Sequence, residues 1–145
     1  MDDVLIRRLK SEDAEDICRI DAAITQETEN VDYRRVIEEQ ACKTEDASFV
    51  VEFRGGVIGY MISYILSGGF GIEKSAWIAI LGVDPKFMGQ GIGKKLAEEI
   101  FRFYKDKKIN TIYTSVRWDS TDLLSFFKTL GFDRSDFINL RKNLD

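Results

Sequence analysis

The chain has 145 residues, 44% of them hydrophobic and 12% aromatic, enough for a single domain (1–145) that buries its own core without metal or disulfide. Its net charge is −4, from 21 basic and 25 acidic residues, and no basic stripe appears, which excludes a general nucleic-acid binder. The absence of histidine removes the commonest general base, the Ser-His-Asp and Cys-His nucleophile systems and any His-built zinc site, so no metal is expected.

In chain order, Val4 to Lys10 reads as a first strand, and Ser11 as the cap of a helix from Glu12 to Ala23 with Ile17 and Ile20 facing inward. The polar stretch Thr25 to Asn30 leads to a second helix, Val31 to Lys43. Cys18 and Cys42 fall in these two amphipathic segments and read as buried, reduced packing residues. Strands Ser48 to Arg54 and Val57 to Leu66 are joined at Gly55-Gly56, a tight-hairpin signal. A glycine-bearing loop, Ser67 to Lys74, precedes the apolar run Ala76 to Val83, the composition of a strand covered on both faces.

A helix from Gly91 to Lys107 places Ile92, Leu96, Ile100, Phe103 and Tyr104 at helical spacing. Ile109 to Val116 is another buried strand, Ser120 to Leu130 a helix stopped by Gly131, and Phe132 to Leu144 a last strand pair. The unit from Ala76 to Val116 predicts a right-handed parallel crossover after an antiparallel meander. The expected fold is α+β in three layers: a mixed, mostly antiparallel sheet of about 6–7 strands with helices on both faces. No run approaches the ~20 apolar residues of a membrane span. The start Met1-Asp2-Asp3 is acidic where a signal peptide is positive. A cytoplasmic protein with neither membrane nor nucleic-acid partner is expected.

The informative segment runs from Val83 to Leu96. Gly89, Gly91 and Gly93 leave backbone N–H groups uncovered at the start of a long helix, and with the helix dipole these make an anion site. Lys94 and Lys95 in the first turn are unfavourable there by about 0.3–1 kcal/mol each, a sign that a bound polyanion reverses. The bland alternative is a glycine-softened loop with two solvated lysines. A Walker loop is excluded because Gly93-Lys94 is followed by Lys95, and a dinucleotide fingerprint because Asp84 to Met88 separate the strand from the first glycine.

The run Leu81-Gly82-Val83-Asp84-Pro85, then Gly89-Gln90-Gly91-Ile92-Gly93, resembles the coenzyme signature of the GNAT N-acetyltransferases, a strand ending Leu-Ala-Val-x-Pro followed by Arg/Gln-x-x-Gly-x-Gly/Ala. Phe126-Phe127-Lys128-Thr129-Leu130-Gly131-Phe132 is similar to that family's second signature, and the element order matches its acyl-CoA N-acyltransferase fold over essentially the whole chain. The resemblance implies acetyl-CoA as co-substrate. It implies that amides of Met88, Gly89, Gln90, Gly91, Ile92, Gly93 and Lys94 hold the pyrophosphate, and that backbone groups of Leu81 and Val83 pair with pantetheine. The N–H near Leu81 would stabilise the thioester oxyanion. Gly82, in place of the usual alanine, would let pantetheine approach or simply mark a bulge.

Several residues depart from the family pattern. Met88 replaces the Arg/Gln that opens the signature. Ser120 stands for a frequent coenzyme-binding asparagine and equally reads as a helix cap. Phe127 occupies the place of the tyrosine that protonates the leaving thiolate. Ser115 and the apolar pair Ala79 and Ile80 occupy places where relatives carry glutamates. Replacement acid or base groups are Asp119, Tyr113, Tyr33 and Glu29, each with a structural alternative: cap, strand residue, helix packing and solvated loop charge. Trp118 is a candidate wall of the acceptor site or a packing residue.

The expected activity is acetyl transfer from acetyl-CoA to a primary amine, on a protein N-terminus, a lysine or a small molecule, by direct attack with water removing the proton. Phe127 and Ser115 support the alternative of a catalytically weak or inactive acyl-CoA-binding sensor. A homodimer is compatible with the resemblance, since dimers are common on this fold.

Overall fold

A computed structural model describes residues 3–25, 33–67 and 73–145. The expected loops Thr25 to Asn30 and Ser67 to Lys74 therefore lie largely outside the described residues. The chain divides into two units, residues 1–115 and 116–145.

Among the described residues the first unit holds five strands and three α-helices. They are β1 (Val4–Arg8), α1 (Ala14–Thr25), α2 (Tyr33–Ala41), β2 (Ser48–Phe53), β3 (Gly56–Leu66), β4 (Ser75–Val83), α3 (Ile92–Asp106) and β5 (Ile112–Thr114). The strands form one sheet in sequence order, antiparallel from β1 to β4 and parallel between β4 and β5. The parallel pair flanks α3, as the crossover reading required. Among the described residues no helix is long and apolar enough to cross a membrane.

Residue alternation along β3 assigns the two faces. A Cβ added at Gly59 would meet Ile92 and Leu96 of α3, whereas the next residue, Tyr60, packs with Ile17, Ile20 and Ile37 of α1 and α2. Helices thus cover both faces. α3 commits Ile92, Leu96, Ala97, Ile100 and Tyr104 to burial, the spacing of a single apolar stripe.

The β2–β3 turn differs in detail from the glycine-pair expectation. Gly56 already pairs with Phe53, and the two turn residues are Arg54 (φ 51°) and Gly55 (φ 82°), both left-handed as a type I′ hairpin requires. The Arg54 guanidinium lies 4.9 Å from the Phe53 ring centroid, over the turn it occupies. Cys42 is exposed and Cys18 half-buried, so neither is the core residue expected. α2 ends at Ala41, which leaves Cys42 beyond the helix.

One polar cluster is built into the core. Tyr104 Oη accepts from Ala47 N (2.9 Å) and shares a 2.6 Å hydrogen bond with Ser63 Oγ, and Ser63 also donates to Ala47 O. Asp46 accepts from Gln40 Nε2 (2.8 Å) and Ile65 N (3.1 Å). α2, α3 and the β2–β3 pair are tied by groups that all find partners, the condition under which buried polar atoms are tolerated.

The second unit contains α4 (Thr121–Thr129), whose apolar side gathers Phe127 against Phe126 and Phe132 with ring centroids 5.2 and 5.0 Å apart. The strand pair expected over Phe132 to Leu144 does not form, so the sheet has five strands where about 6–7 were expected. Its apolar residues Phe137, Ile138, Leu140 and Leu144 are all exposed. A hairpin gains stability only when a third strand or a helix buries one of its faces.

Candidate active site

The site grows from an irregularity in β4. The β3–β4 register slips between Ile62 and Ser63: Ile62 faces Ile80 and Ser63 faces Ile78, leaving Ala79 as the extra residue of a bulge. Before the bulge, Ala76 N donates to Thr111 O (3.1 Å) and Ile78 O accepts from the Thr114 hydroxyl (3.1 Å), so these residues turn their backbone groups towards β5. After it, Asp84 N donates to Ile58 O (2.8 Å), towards β3. Alternation from Asp84 backwards then assigns Gly82 and Ile80 to the β3 side, and Leu81 and Val83 to the opposite side.

On that side the strand ladder stops short of Leu81 and Val83. Pairing between β4 and β5 ends at Ile78 and Thr114, and among the described residues no strand follows β4 beyond it. An uncovered strand edge binds an extended, amide-bearing chain as though it were another strand. The bulge thus decides which residues present amides to the opening: Leu81 and Val83, the two that the resemblance singled out.

Beyond Val83 the chain turns through a short 3-10 segment, Pro85–Phe87. Asp84 caps it by accepting from Lys86 N (3.1 Å), and Pro85 stands where a helix needs no N–H. Phe87 packs edge-on to Phe53 at 5.5 Å, fixing the turn to the sheet. Met88, Gly89, Gln90 and Gly91 are then exposed. Gly89 (φ 81°) and Gly91 (φ 78°) are left-handed, and a Cβ at either would meet nothing within 4 Å. These glycines are required by backbone conformation and leave open space over the loop.

Gly91 is the N-cap of α3, and Lys95 N donates to Gly91 O (3.1 Å). By helix geometry the amides of Ile92, Gly93 and Lys94 have no intrahelical acceptor and face the loop's opening. The first turn carries no acidic residue, while Lys94 is exposed. Free amides, the positive helix end and a lysine lie on one loop, the arrangement that favours an anion. Gly59 brings it close to the sheet: the added Cβ would lie 2.8 Å from Ile92 Cγ2, so the first turn of α3 needs a strand residue without a side chain beneath it.

The profile of the "Acetyltransferase (GNAT) family" matches residues 14–132. The chain belongs to the GNAT family. Among curated relatives, a mycothiol acetyltransferase from Amycolatopsis mediterranei (strain U-32) is 31% identical over 105 residues, 70% of this chain and 35% of the relative. The N-alpha-acetyltransferase RimI of Mycobacterium tuberculosis (strain ATCC 25618 / H37Rv) is 35% identical over 54 residues, 37% of this chain and 32% of that protein. The chain spans about a third of the length of these relatives. A solved aminoglycoside N-acetyltransferase in complex with CoA superposes with a TM-score of 0.80 at 17% identity, over 97% of this chain and 94% of that one, which shows a common fold.

The remaining candidates of this GNAT chain take varied positions. Gly82 is buried with Tyr60 pressed against it: an added Cβ would lie 2.7 Å from the Tyr60 hydroxyl and 2.8 Å from ring carbons. This gives its missing side chain a reason within the fold, apart from coenzyme approach. Tyr113 is half-buried and stacks on Trp77 with centroids 4.8 Å apart, one residue before Thr114, where the strands part. Glu29 and the Tyr33 side chain lie outside the described residues.

In the second unit, Asp119 is exposed and paired with Arg117 through two hydrogen bonds of 3.0 and 3.1 Å. The Arg117 hydrogen bonds hold its carboxyl below the usual carboxylate value, which makes it a weaker base than an isolated aspartate. Ser120 is the N-cap residue of α4, but its hydroxyl makes no capping bond; its backbone O accepts from Leu124 N. Phe127 is buried among rings, Ser115 is exposed, and Trp118 is 87% exposed, which leaves it no packing role within its unit. Sequence reasoning missed Tyr60, Gly59 and Thr114. The lone strand glycine at 59 was a signal of close approach, whereas a tyrosine or threonine in a strand signals nothing beyond strand propensity.

Proposed function

We propose that this GNAT chain transfers the acetyl group of acetyl-CoA to a primary amine by direct attack, in the cytoplasm. The observation that carries the proposal is the continuity of two binding features on one strand–turn–helix unit: the open β4 edge at Leu81 and Val83, and the left-handed glycine loop on the N-terminus of α3. Acetyl-CoA has the matching form, a polyanionic pyrophosphate on an extended arm that bears amides. It supplies the activated acyl group and a tolerable thiolate leaving group. The amides from Met88 to Lys94 hold the phosphates, Leu81 and Val83 pair with the arm, and the Leu81 N–H is the donor for developing charge on the acyl oxygen.

The relatives share acetyl transfer by name and differ otherwise: a mycothiol acetyltransferase, an N-alpha-acetyltransferase and an aminoglycoside N-acetyltransferase. Their common denominator is an amine, and that is the acceptor class proposed here. Asp119 and Tyr113 are the candidate proton-handling side chains. The Arg117 pair at Asp119 and the Trp77 stack at Tyr113 both favour transfer of the proton through water.

The test compares two isosteric variants at the helix cap. Asparagine and aspartate both tolerate the left-handed conformation of Gly91 and differ only in charge. Gly91→Asn retains CoA binding. Gly91→Asp binds at least tenfold more weakly than Gly91→Asn, about 1.4 kcal/mol, by calorimetry. Equal affinities would move the phosphate site elsewhere. Thiol release from acetyl-CoA across an amine panel then separates a transferase from a sensor that only binds.

A further inference from the structure

The glycines free the coenzyme loop to bend, and something else must hold it in place. We propose that Arg19 is a positioning residue for this loop, acting through Asp84; the proposal rests on the reading of the loop as the CoA phosphate site. Asp84 is the residue at which the chain leaves β4, and it is 8% exposed. One carboxylate oxygen accepts from Lys86 N (3.1 Å) and the other from Arg19 Nη1 of α1 (3.3 Å). The second guanidinium nitrogen of Arg19 donates to Val57 O (3.3 Å) and lies 3.5 Å from Asp16 Oδ1. Asp16 Oδ2 in turn accepts from Val57 N (3.2 Å). Two residues one helical turn apart on α1 therefore hold both the N–H and the C=O of Val57 and, through the same guanidinium, the first residue of the loop.

The asymmetry of the pair decides what it does. The Arg19 side chain is 54% exposed and that of Asp84 11%, so the arginine costs little to hold and opens no cavity when removed. The aspartate, by contrast, is left as a buried charge without its counter-ion. Relaxation falls on Asp84 and on the Pro85–Phe87 turn it caps, immediately before the amides from Met88 to Lys94. Those amides stay present but lose their fixed aim, which weakens ground-state coenzyme binding ahead of chemistry.

The experiment measures CoA affinity by calorimetry, kcat and KM for acetyl-CoA, and Tm, on the full chain and on Arg19→Ala, Arg19→Lys, Asp84→Asn and Arg19→Ala/Asp84→Asn. Arg19→Ala is expected to raise the Kd for CoA and the KM for acetyl-CoA by three- to tenfold with kcat at saturation within twofold. Arg19→Lys, which keeps charge without the fork, recovers part of the loss. Because Arg19 works through Asp84, adding Arg19→Ala to Asp84→Asn produces no further loss. Unchanged affinity in Arg19→Ala overturns the proposal, as does a fully additive double variant or a fall in Tm with no change in KM. If the unaltered chain binds no CoA, the reading of the loop fails first and the role of Arg19 with it.

Discussion

At the scale of single residues, small side chains are set by what lies against them. Gly82 occupies an alanine position of the GNAT signature, and the tyrosine across the ladder explains why alanine is unsuitable here. Tyr60 is 2% exposed and its ring passes within 2.8 Å of where a Cβ would stand. Gly82→Ala therefore forces a packed ring to move and is expected to cost about 1–3 kcal/mol of stability, the usual penalty of overpacking, seen as a lower denaturant midpoint. Tyr60→Leu should recover most of it, because a shorter side chain vacates the space. If Gly82→Ala is neutral for stability yet lowers CoA affinity, the glycine serves the coenzyme and the ring contact is incidental.

At the scale of elements, the Tyr104 cluster joins α3 to β2 and β3 through a phenol that touches Ala47 and Ser63. Tyr104→Phe leaves the Ala47 N–H and the Ser63 hydroxyl with a lost partner in the core, an expected loss of about 1–3 kcal/mol. Burial pushes the Tyr104 phenol above its ordinary value of 10.0, an effect that the Ser63 and Ala47 hydrogen bonds and the Arg8 charge oppose and the Asp46 charge reinforces. A raised folded value means that the folded state keeps the proton where the unfolded state has released it. The associated stability is fully present below pH ~10 and is lost as the pH rises through the folded value. Denaturant melts from pH 8 to 11 should show a steeper alkaline decline for the unaltered protein than for Tyr104→Phe. Parallel declines would mean that the phenol is not the group responsible.

At the scale of the whole molecule, acid–base chemistry has few groups to draw on. The chain has no histidine, Phe127 is sealed among rings, and Asp119 is held ionised by Arg117. A dedicated proton shuttle typically contributes about 10²–10⁴-fold, so turnover with generic amines should be slow. It should also climb with pH towards the amine's own pKa, as the neutral nucleophile accumulates, with no acidic limb that belongs to a side chain. The pH profile of kcat/KM for two amines of different basicity checks this. A limb that stays in place when the amine is changed would reveal an enzyme group, and Asp119→Asn and Tyr113→Phe would then show whether it is one of the two named.

The sequence by itself determined the class of fold, the order of the elements as far as α4, and the glycine loop ahead of α3, because those depend on local rules. Periodicity sets helix from strand, a proline after a capping aspartate starts a turn, and glycines free amides at a helix end. Tertiary structure decided the rest. The bulge at Ala79 is one residue in register, invisible in an unbroken apolar run, yet it selects Leu81 and Val83 as the residues that open outward. Tyr60 against Gly82, Ile92 over Gly59 and Arg19 on Asp84 join residues 22, 33 and 65 positions apart, and no local pattern encodes such pairings. The expected terminal hairpin failed for the converse reason. Alternating apolar residues propose a strand, but only a ladder partner with one buried face makes one, and no strand is assigned from residue 132 onward.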